Sequence, residues 1–242
     1  MKIEKVAMLP AGVFDLRRAT ATAPAADPFL GARLSVSHHC ALEFFRAEST
    51  GGSGRLPQQD RFLVILLLEG ALDLSAAGTD LSLMPGSVAV LSPGTALDWQ
   101  TQGQSRWLLH SYRDAGGRAE PALMMVDPVA GLSPSAAPAA VLLDGPTPVC
   151  SKADLCAASD GAWSCGLWTA TPYRRIPVRY GYYELMLLEK GAVSIFTTDG
   201  QRAEFGLGDV FVIAEGAEVG WHSTAPVKKF WSIYTPVSAD SA

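Results

Sequence analysis

The chain has 242 residues, of which 48% are hydrophobic and only 18% charged, and its formal net charge is −5. That length allows one large domain or two smaller ones with a substantial buried core. A sparse, net-negative charge set excludes the clustered Lys and Arg footprint of a nucleic-acid binder and points to a small molecule or another protein surface as partner.

From the N-terminus, MKIEKVAMLPAGVFDLRR lacks an apolar stretch of signal-peptide length. The apolar run LVILLL at 63–68 is far too short to span a bilayer. A cytoplasmic chain with no membrane partner is expected. Short runs rich in Val, Ile, Phe, Tyr and Trp then follow one another between Gly, Pro and Asp-Gly turns. ARLSVSH, RFLVILLL, ALDLSA and SVAVLS lie in the first half, and SCGLWTA, YYELMLL, AVSIFTT, DVFVIA and KFWSIYT in the second. This pattern predicts an all-β protein. Residues 121–148 between the halves are rich in Ala, Pro and Ser and read as a linker or surface crossing. The cysteines at 40, 150, 156 and 165 form no CxxC and are expected to be reduced thiols.

The two halves superimpose in sequence. Gly70, Gly86, Gly94 and Trp99 are spaced by 16, 8 and 5 residues, and Gly191, Gly208, Gly216 and Trp221 by 17, 8 and 5. RWLLHSY (106–112) echoes FWSIYTP (230–236), which sets Trp107 opposite Trp231. The repeat predicts a duplicated β-domain. Rolling each copy into a jelly-roll barrel hides sheet edges that too few helices exist to cover.

The stretch 191–216, G-A-V-x(14)-G-x-V-x-V-I-x-x-G, resembles the second half of a cupin domain. With Trp168 and Pro172, Glu184 six residues before Gly191, Gly208-Asp209 and Trp221, the C-terminal copy is similar to small cupins related to the ethanolamine-utilisation cupin and (S)-ureidoglycine aminohydrolase. The resemblance implies duplicated jelly-roll (double-stranded β-helix) cupin barrels. Their expected bounds are residues 1–118 for a degenerate N-terminal barrel, 119–134 for a linker and 135–242 for the C-terminal barrel. It also implies a homodimer.

A metal-binding cupin carries H-x-H-x(3,4)-E-x(6)-G and a later histidine. Here Glu184 holds the glutamate place, but the histidine places fall on Val178 and Tyr180, or on Pro177 and Arg179, and the later one on Val219. In the N-terminal copy Leu63 and Leu97 stand at the corresponding places. One carboxylate does not make a tight divalent site. No conventional metal cofactor is therefore expected, a weakly bound divalent metal being the alternative. His222 alternates away from the inward set of 219, 221 and 223, and His38 and His39 point to opposite faces of one strand.

Alternation anchored on Glu184 gathers Tyr180, Tyr182, Met186 and Leu188 on one face, with Trp221 from the second motif. Arg179 or a tyrosine hydroxyl is the expected partner of the buried carboxylate. Such a cavity suits a small organic ligand offering an amine or hydroxyl. The ligand-binding set is thus Glu184, Tyr180, Tyr182, Arg179, Met186 and Trp221. Arg174 and Arg175 read chiefly as loop cations, contact with an anionic ligand being the alternative, and the face carrying Arg61, Leu63, Ile65, Leu97 and Trp99 as a filled partner barrel. The expected function is small-molecule binding in the C-terminal barrel. The alternatives are an enzyme acting on a small ureido, amino or polyol metabolite, and a structural protein with filled barrels.

Overall fold

The computed structural model describes residues 9–19, 21–23, 27–36, 42–114 and 121–236, with the backbone alone at 21–23. His38, His39 and Cys40 lie outside the described residues. The chain enters with β1 (Val13–Asp15). It continues through β2 (Ala21–Ala23), β3 (Ala32–Leu34), β4 (Leu42–Ser49), β5 (Gly52–Leu56), β6 (Arg61–Glu69) and β7 (Leu72–Ala76). Next come β8 (Thr79–Leu83), β9 (Val88–Leu91), β10 (Leu97–Thr101), β11 (Ser105–Arg113) and β12 (Leu123–Met125). After β13 (Ser133–Ser135) and a single 3-10 turn at Ala140–Leu142 follow β14 (Cys150–Ala157), β15 (Trp163–Ala170), β16 (Tyr173–Arg179) and β17 (Tyr183–Lys190). The last five strands are β18 (Val193–Phe196), β19 (Arg202–Phe205), β20 (Val210–Ile213), β21 (Glu218–Ser223) and β22 (Val227–Tyr234). Among the described residues no helix is long and apolar enough to cross a membrane.

Two compact units emerge. One comprises Arg18–Asp127 with Ala157–Trp163; the other comprises Pro128–Cys156 and Ser164–Ala242 together with Met1–Arg17. Both pair a seven-stranded sheet with a four-stranded one. In the N-terminal unit the orders are β12-β9-β6-β11-β4-β3-β2 and β5-β10-β7-β8, and in the C-terminal unit β1-β20-β17-β22-β15-β14-β13 and β16-β21-β18-β19. The antiparallel orders repeat strand for strand, which is the jelly-roll arrangement that the spacing of the glycines predicts.

The unit boundaries differ from those expected. The first 17 residues belong with the C-terminal unit, because β1 pairs with β20 through Val13↔Ile213 and Asp15↔Phe211 and so covers that sheet's edge. Residues 121–134, the described part of the expected 119–134 linker, do not run free. β12 covers the edge of β9 in the N-terminal unit, with Leu123 opposite Leu91, and β13 pairs with β14 in the C-terminal unit. An unpaired edge strand exposes a row of donors and acceptors, so each barrel captures a short strand to occupy it.

Gly70 and Gly191 show why the landmarks recur. Both have positive φ, +79° and +80°, and a Cβ there would approach Gln104 O to 2.3 Å and Pro226 O to 2.5 Å, respectively. Only glycine accepts both the conformation and the close approach.

The N-terminal core is apolar throughout, built on Leu63, Ile65, Leu67, Leu97, Trp99 and Trp107 with Phe29 against the two indoles. Trp107 is fully buried and its Nε1–H donates to Phe29 O at 2.9 Å. The C-terminal core gathers Met186, Leu188, Ile195, Phe211, Val219 and Trp221 around one end left unfilled. Cys150, Cys156 and Cys165 are free thiols.

Candidate functional site

The unfilled end of the C-terminal unit is a cavity of about 440 Å³ whose walls include Lys152, Trp168, Tyr173, Arg175, Tyr180, Tyr182, Glu184, Trp221, Lys229, Trp231 and Ile233. Central strands β17 and β22 set its floor. Their register places Glu184 opposite Ile233, Met186 opposite Trp231 and Leu188 opposite Lys229. Period-two alternation therefore directs 184, 186 and 188 to the same face as 229, 231 and 233. Gly166 on the neighbouring β15 leaves room for the Trp231 ring, which a Cβ would approach to 2.7 Å.

Glu184 is buried, and its partner is neither a tyrosine nor Arg179. Lys229 Nζ donates to Glu184 Oε1 at 2.6 Å, with side-chain exposures of 9% and 8%. The ammonium also lies 3.2 Å from Met186 Sδ and stands over two indoles, 5.0 Å from the Trp168 ring centre and 5.2 Å from that of Trp221. Ring quadrupoles attract a desolvated cation, and the carboxylate neutralises it, so the burial of Lys229 is fully compensated.

Arg179 is exposed; its backbone pairs with Glu218 at the end of β16, and it is not part of the cavity wall. Period-two alternation already sets Arg179, five residues before Glu184, on the opposite face, and N-terminal to it β16 has a register break between Arg175 and Val178. Pro177 supplies no N–H there, so alternation counted back from Glu184 falls out of phase. Arg175, expected as a loop cation, lines the cavity instead. Its Nη2 donates to the Tyr180 hydroxyl at 2.9 Å, its Cζ lies 5.3 Å from that ring's centre, and its Nε is buried without a hydrogen-bond partner. Burial opposes the guanidinium charge, but Tyr180 and the neighbouring phenols outweigh it and hold the pKa above its ordinary value. Arg174 turns the other way, to Asp144 at 3.0 Å and over Phe196.

Tyr180 is pinned at the mouth by two backbone bonds, its N–H donating to Ala217 O and its O accepting from Gly216 N–H, both at 2.8 Å. Burial pushes its hydroxyl up to about 12, with Arg175 pulling the other way. Burial also raises the Tyr173 and Tyr182 hydroxyls well beyond their ordinary range. All three phenols are hydrogen-bond donors at neutral pH. Tyr173 stacks on Trp221 at 6.0 Å, and Trp168 meets Trp221 edge-on at 6.2 Å. Trp221 Nε1–H is buried without a partner.

Of the six residues expected from sequence, Glu184, Tyr180, Tyr182 and Trp221 come together on the cavity wall. Met186 lies beneath it in the core, touching Lys229, and Arg179 stands apart. Sequence reasoning missed Lys229 and Arg175. Alternation run back from Trp231 gives Lys229, because KKFW places one lysine outward and the next inward.

Residues 157–231 match the family model of the EutQ-like cupin domain. The C-terminal unit is a cupin domain. A protein of similar structure is one of unknown function, of the DUF861 family, from Pseudomonas syringae pv. tomato, with 25% identity, 88% of this chain and 92% of that one covered, and a TM-score of 0.80. A cupin 2 conserved barrel domain protein from Leptotrichia buccalis has 8% identity, coverage of 94% and 98%, and a TM-score of 0.65. Protein Ylba from E. coli has 12% identity, coverage of 96% and 94%, and a TM-score of 0.57. No curated protein matches the sequence significantly. The cavity of this unit carries an ion pair, a guanidinium and aromatic walls.

Proposed function

We propose that the chain is a bicupin that binds a small anionic metabolite, a carboxylate, in the C-terminal barrel without a divalent metal of the cupin type. The observation that carries this reading is the half-buried Arg175, which lines the cavity and whose buried Nε is unpaired. The other charges on the wall are accounted for: Lys229 holds Glu184 at 2.6 Å and Lys152 holds Asp154 at 2.8 Å. Arg175 is the surplus cation, and a planar guanidinium suits a carboxylate. The amine ligand expected from Glu184 alone is displaced by this pairing, since Lys229 already supplies an ammonium.

The donor chemistry argues the same way about metal. Among the described residues no three His, Cys, Asp or Glu side chains converge, and the single carboxylate of the pocket is bound to a cation already. A divalent ion needs several neutral or anionic donors, and a lysine and an arginine repel it. A homodimer, carried over from the family resemblance, belongs to the same proposal and is tested by sedimentation.

Calorimetric titration with small carboxylates, amines and polyols of matched size tests the ligand class. Carboxylates should bind, and Arg175→Gln should weaken them about 10- to 100-fold, or about 1.4–2.8 kcal/mol. Binding of amines with no binding of carboxylates would overturn the reading.

A further inference from the structure

Resting on that reading, we propose that Lys229 forms an imine with a carbonyl group of the bound ligand, which makes the ligand class a 2-oxo acid or an aldehyde acid. Lys229 Nζ is a buried primary amine on the wall of an open cavity, with a carboxylate 2.6 Å away. The fold does not require a charge there. Leu67 faces Trp107 across β6 and β11, as Leu188 faces Lys229 across β17 and β22, and Leu63 holds the Glu184 position in the same register. An apolar pair takes that place in the N-terminal barrel, and replacing buried ion pairs by apolar groups is often neutral or stabilising. The charged pair therefore needs a reason other than packing.

Glu184 takes one proton from the Lys229 ammonium across their hydrogen bond, leaving a neutral amine and a neutral carboxyl. The amine nitrogen attacks the carbonyl carbon; a C–N bond forms, the C=O π pair becomes a hydroxyl with the proton released by nitrogen, and a carbinolamine results. Glu184 returns its proton to that hydroxyl, the C–O bond breaks, and water leaves. The net change converts ammonium and carbonyl into iminium and water, with one positive charge at Nζ before and after. That conservation of charge matches the site. The iminium keeps its ion pair with Glu184 and its place over Trp168 and Trp221, so surroundings that stabilise the resting ammonium also stabilise the product. The ligand carboxylate is held by Arg175.

Reductive trapping tests the assignment on the full-length protein, with pyruvate as the probe, sodium cyanoborohydride as reductant and peptide mapping as readout. One reduced pyruvate should appear on Lys229 at least ten times faster than on Lys152, Lys190 or Lys228. Lys229→Arg keeps a cation beside Glu184 and should abolish that adduct, with thermal unfolding confirming a folded variant. Glu184→Gln should slow trapping roughly 100-fold, the size of a lost general acid–base group. Equal labelling of all lysines, or a specific adduct that survives in Lys229→Arg, overturns the imine. The two readings fail separately. Arg175-dependent binding of pyruvate without Lys229 labelling overturns the imine and leaves the anion site standing. Specific labelling of Lys229 by propanal, with no carboxylate binding in calorimetry, supports the imine and overturns the anion site.

Discussion

The N-terminal unit sets Trp107 opposite Leu67 between its two central strands, and the C-terminal unit sets Lys229 opposite Leu188 in the equivalent register. Four residues earlier on the same strands, Leu63 in one unit corresponds to Glu184 in the other, since Leu63 pairs with Leu91 as Glu184 pairs with Ile213. One barrel thus closes with an indole and a leucine, the other with an ammonium and a carboxylate. The indole has enough volume to reach Phe29 and Trp99, at 5.7 and 6.0 Å, and fills its barrel end. The lysine is slender and leaves the 440 Å³ space in front of it. A single strand framework accepts either a packed core or a polar cavity, and two positions decide which.

The largest effect should come from emptying the filled barrel. Trp107→Ala removes a fully buried ring and strands Phe29 O, and should cost about 3–5 kcal/mol in urea unfolding. A loss below about 1 kcal/mol would show that this indole does not hold the N-terminal core together.

The ion pair offers the complementary break. Glu184→Leu alone leaves an ammonium buried without its carboxylate, and Lys229→Met alone leaves the reverse. Each should cost about 2–4 kcal/mol, because removing one partner of a buried pair is far worse than removing both. The double variant should recover most of that loss. Additive losses in the double variant would mean that the two residues do not act as a pair.

A third test separates the units by pH. His110 of the N-terminal unit is buried, stacks on Phe44 at 4.8 Å and accepts from Trp163 Nε1–H at 3.2 Å through Nε2. Burial depresses its pKa to about 3, against the pull of the Glu43 carbonyl. The unfolded chain takes up a proton near the ordinary value of about 6.5 while the native state does not. Its contribution is therefore complete above pH 6.5 and is lost as pH falls from there toward 3, at up to about 1.4 kcal/mol per pH unit. His110→Gln, which keeps an acceptor for Trp163, should flatten the fall between pH 6.5 and 5. An unchanged slope in His110→Gln would locate the titrating group elsewhere.

The repeat of Gly70, Gly86, Gly94 and Trp99 in Gly191, Gly208, Gly216 and Trp221 was legible because turn conformations and close approaches demand glycine locally. Glu184, Tyr182 and Trp221 were legible because alternation within or beside one strand carries over a few residues. Arg175 was not, since the break at Pro177 resets the phase. Trp107 was aligned with Trp231, but the strand register sets it level with Lys229, two residues earlier, and both copies carry the same bulge just before that level. The capture of β1 by β20, almost 200 residues away in the chain, depends on an open sheet edge that no local pattern announces.

The smallest effect should come from a pair with similar geometry on the outside of the N-terminal barrel. Arg55 Nη1 reaches both oxygens of Asp98, at 3.0 and 2.8 Å, with side-chain exposures of 65% and 54%. Its contact distance is close to that of Lys229 with Glu184, but the pair is exposed. Water solvates both ends of the exposed pair, so the Coulomb gain is small and is offset by the entropy of fixing two long side chains. Arg55→Ala should cost less than about 0.5 kcal/mol, and the cost should vanish in about 1 M salt, where the Debye length falls to roughly 3 Å. Lys229→Met should cost the same at low and high salt, because counter-ions do not enter the space between the two indoles. If the two substitutions prove equally costly, or equally sensitive to salt, burial is not what sets the C-terminal pair apart, and the cavity is wetter than its aromatic walls imply.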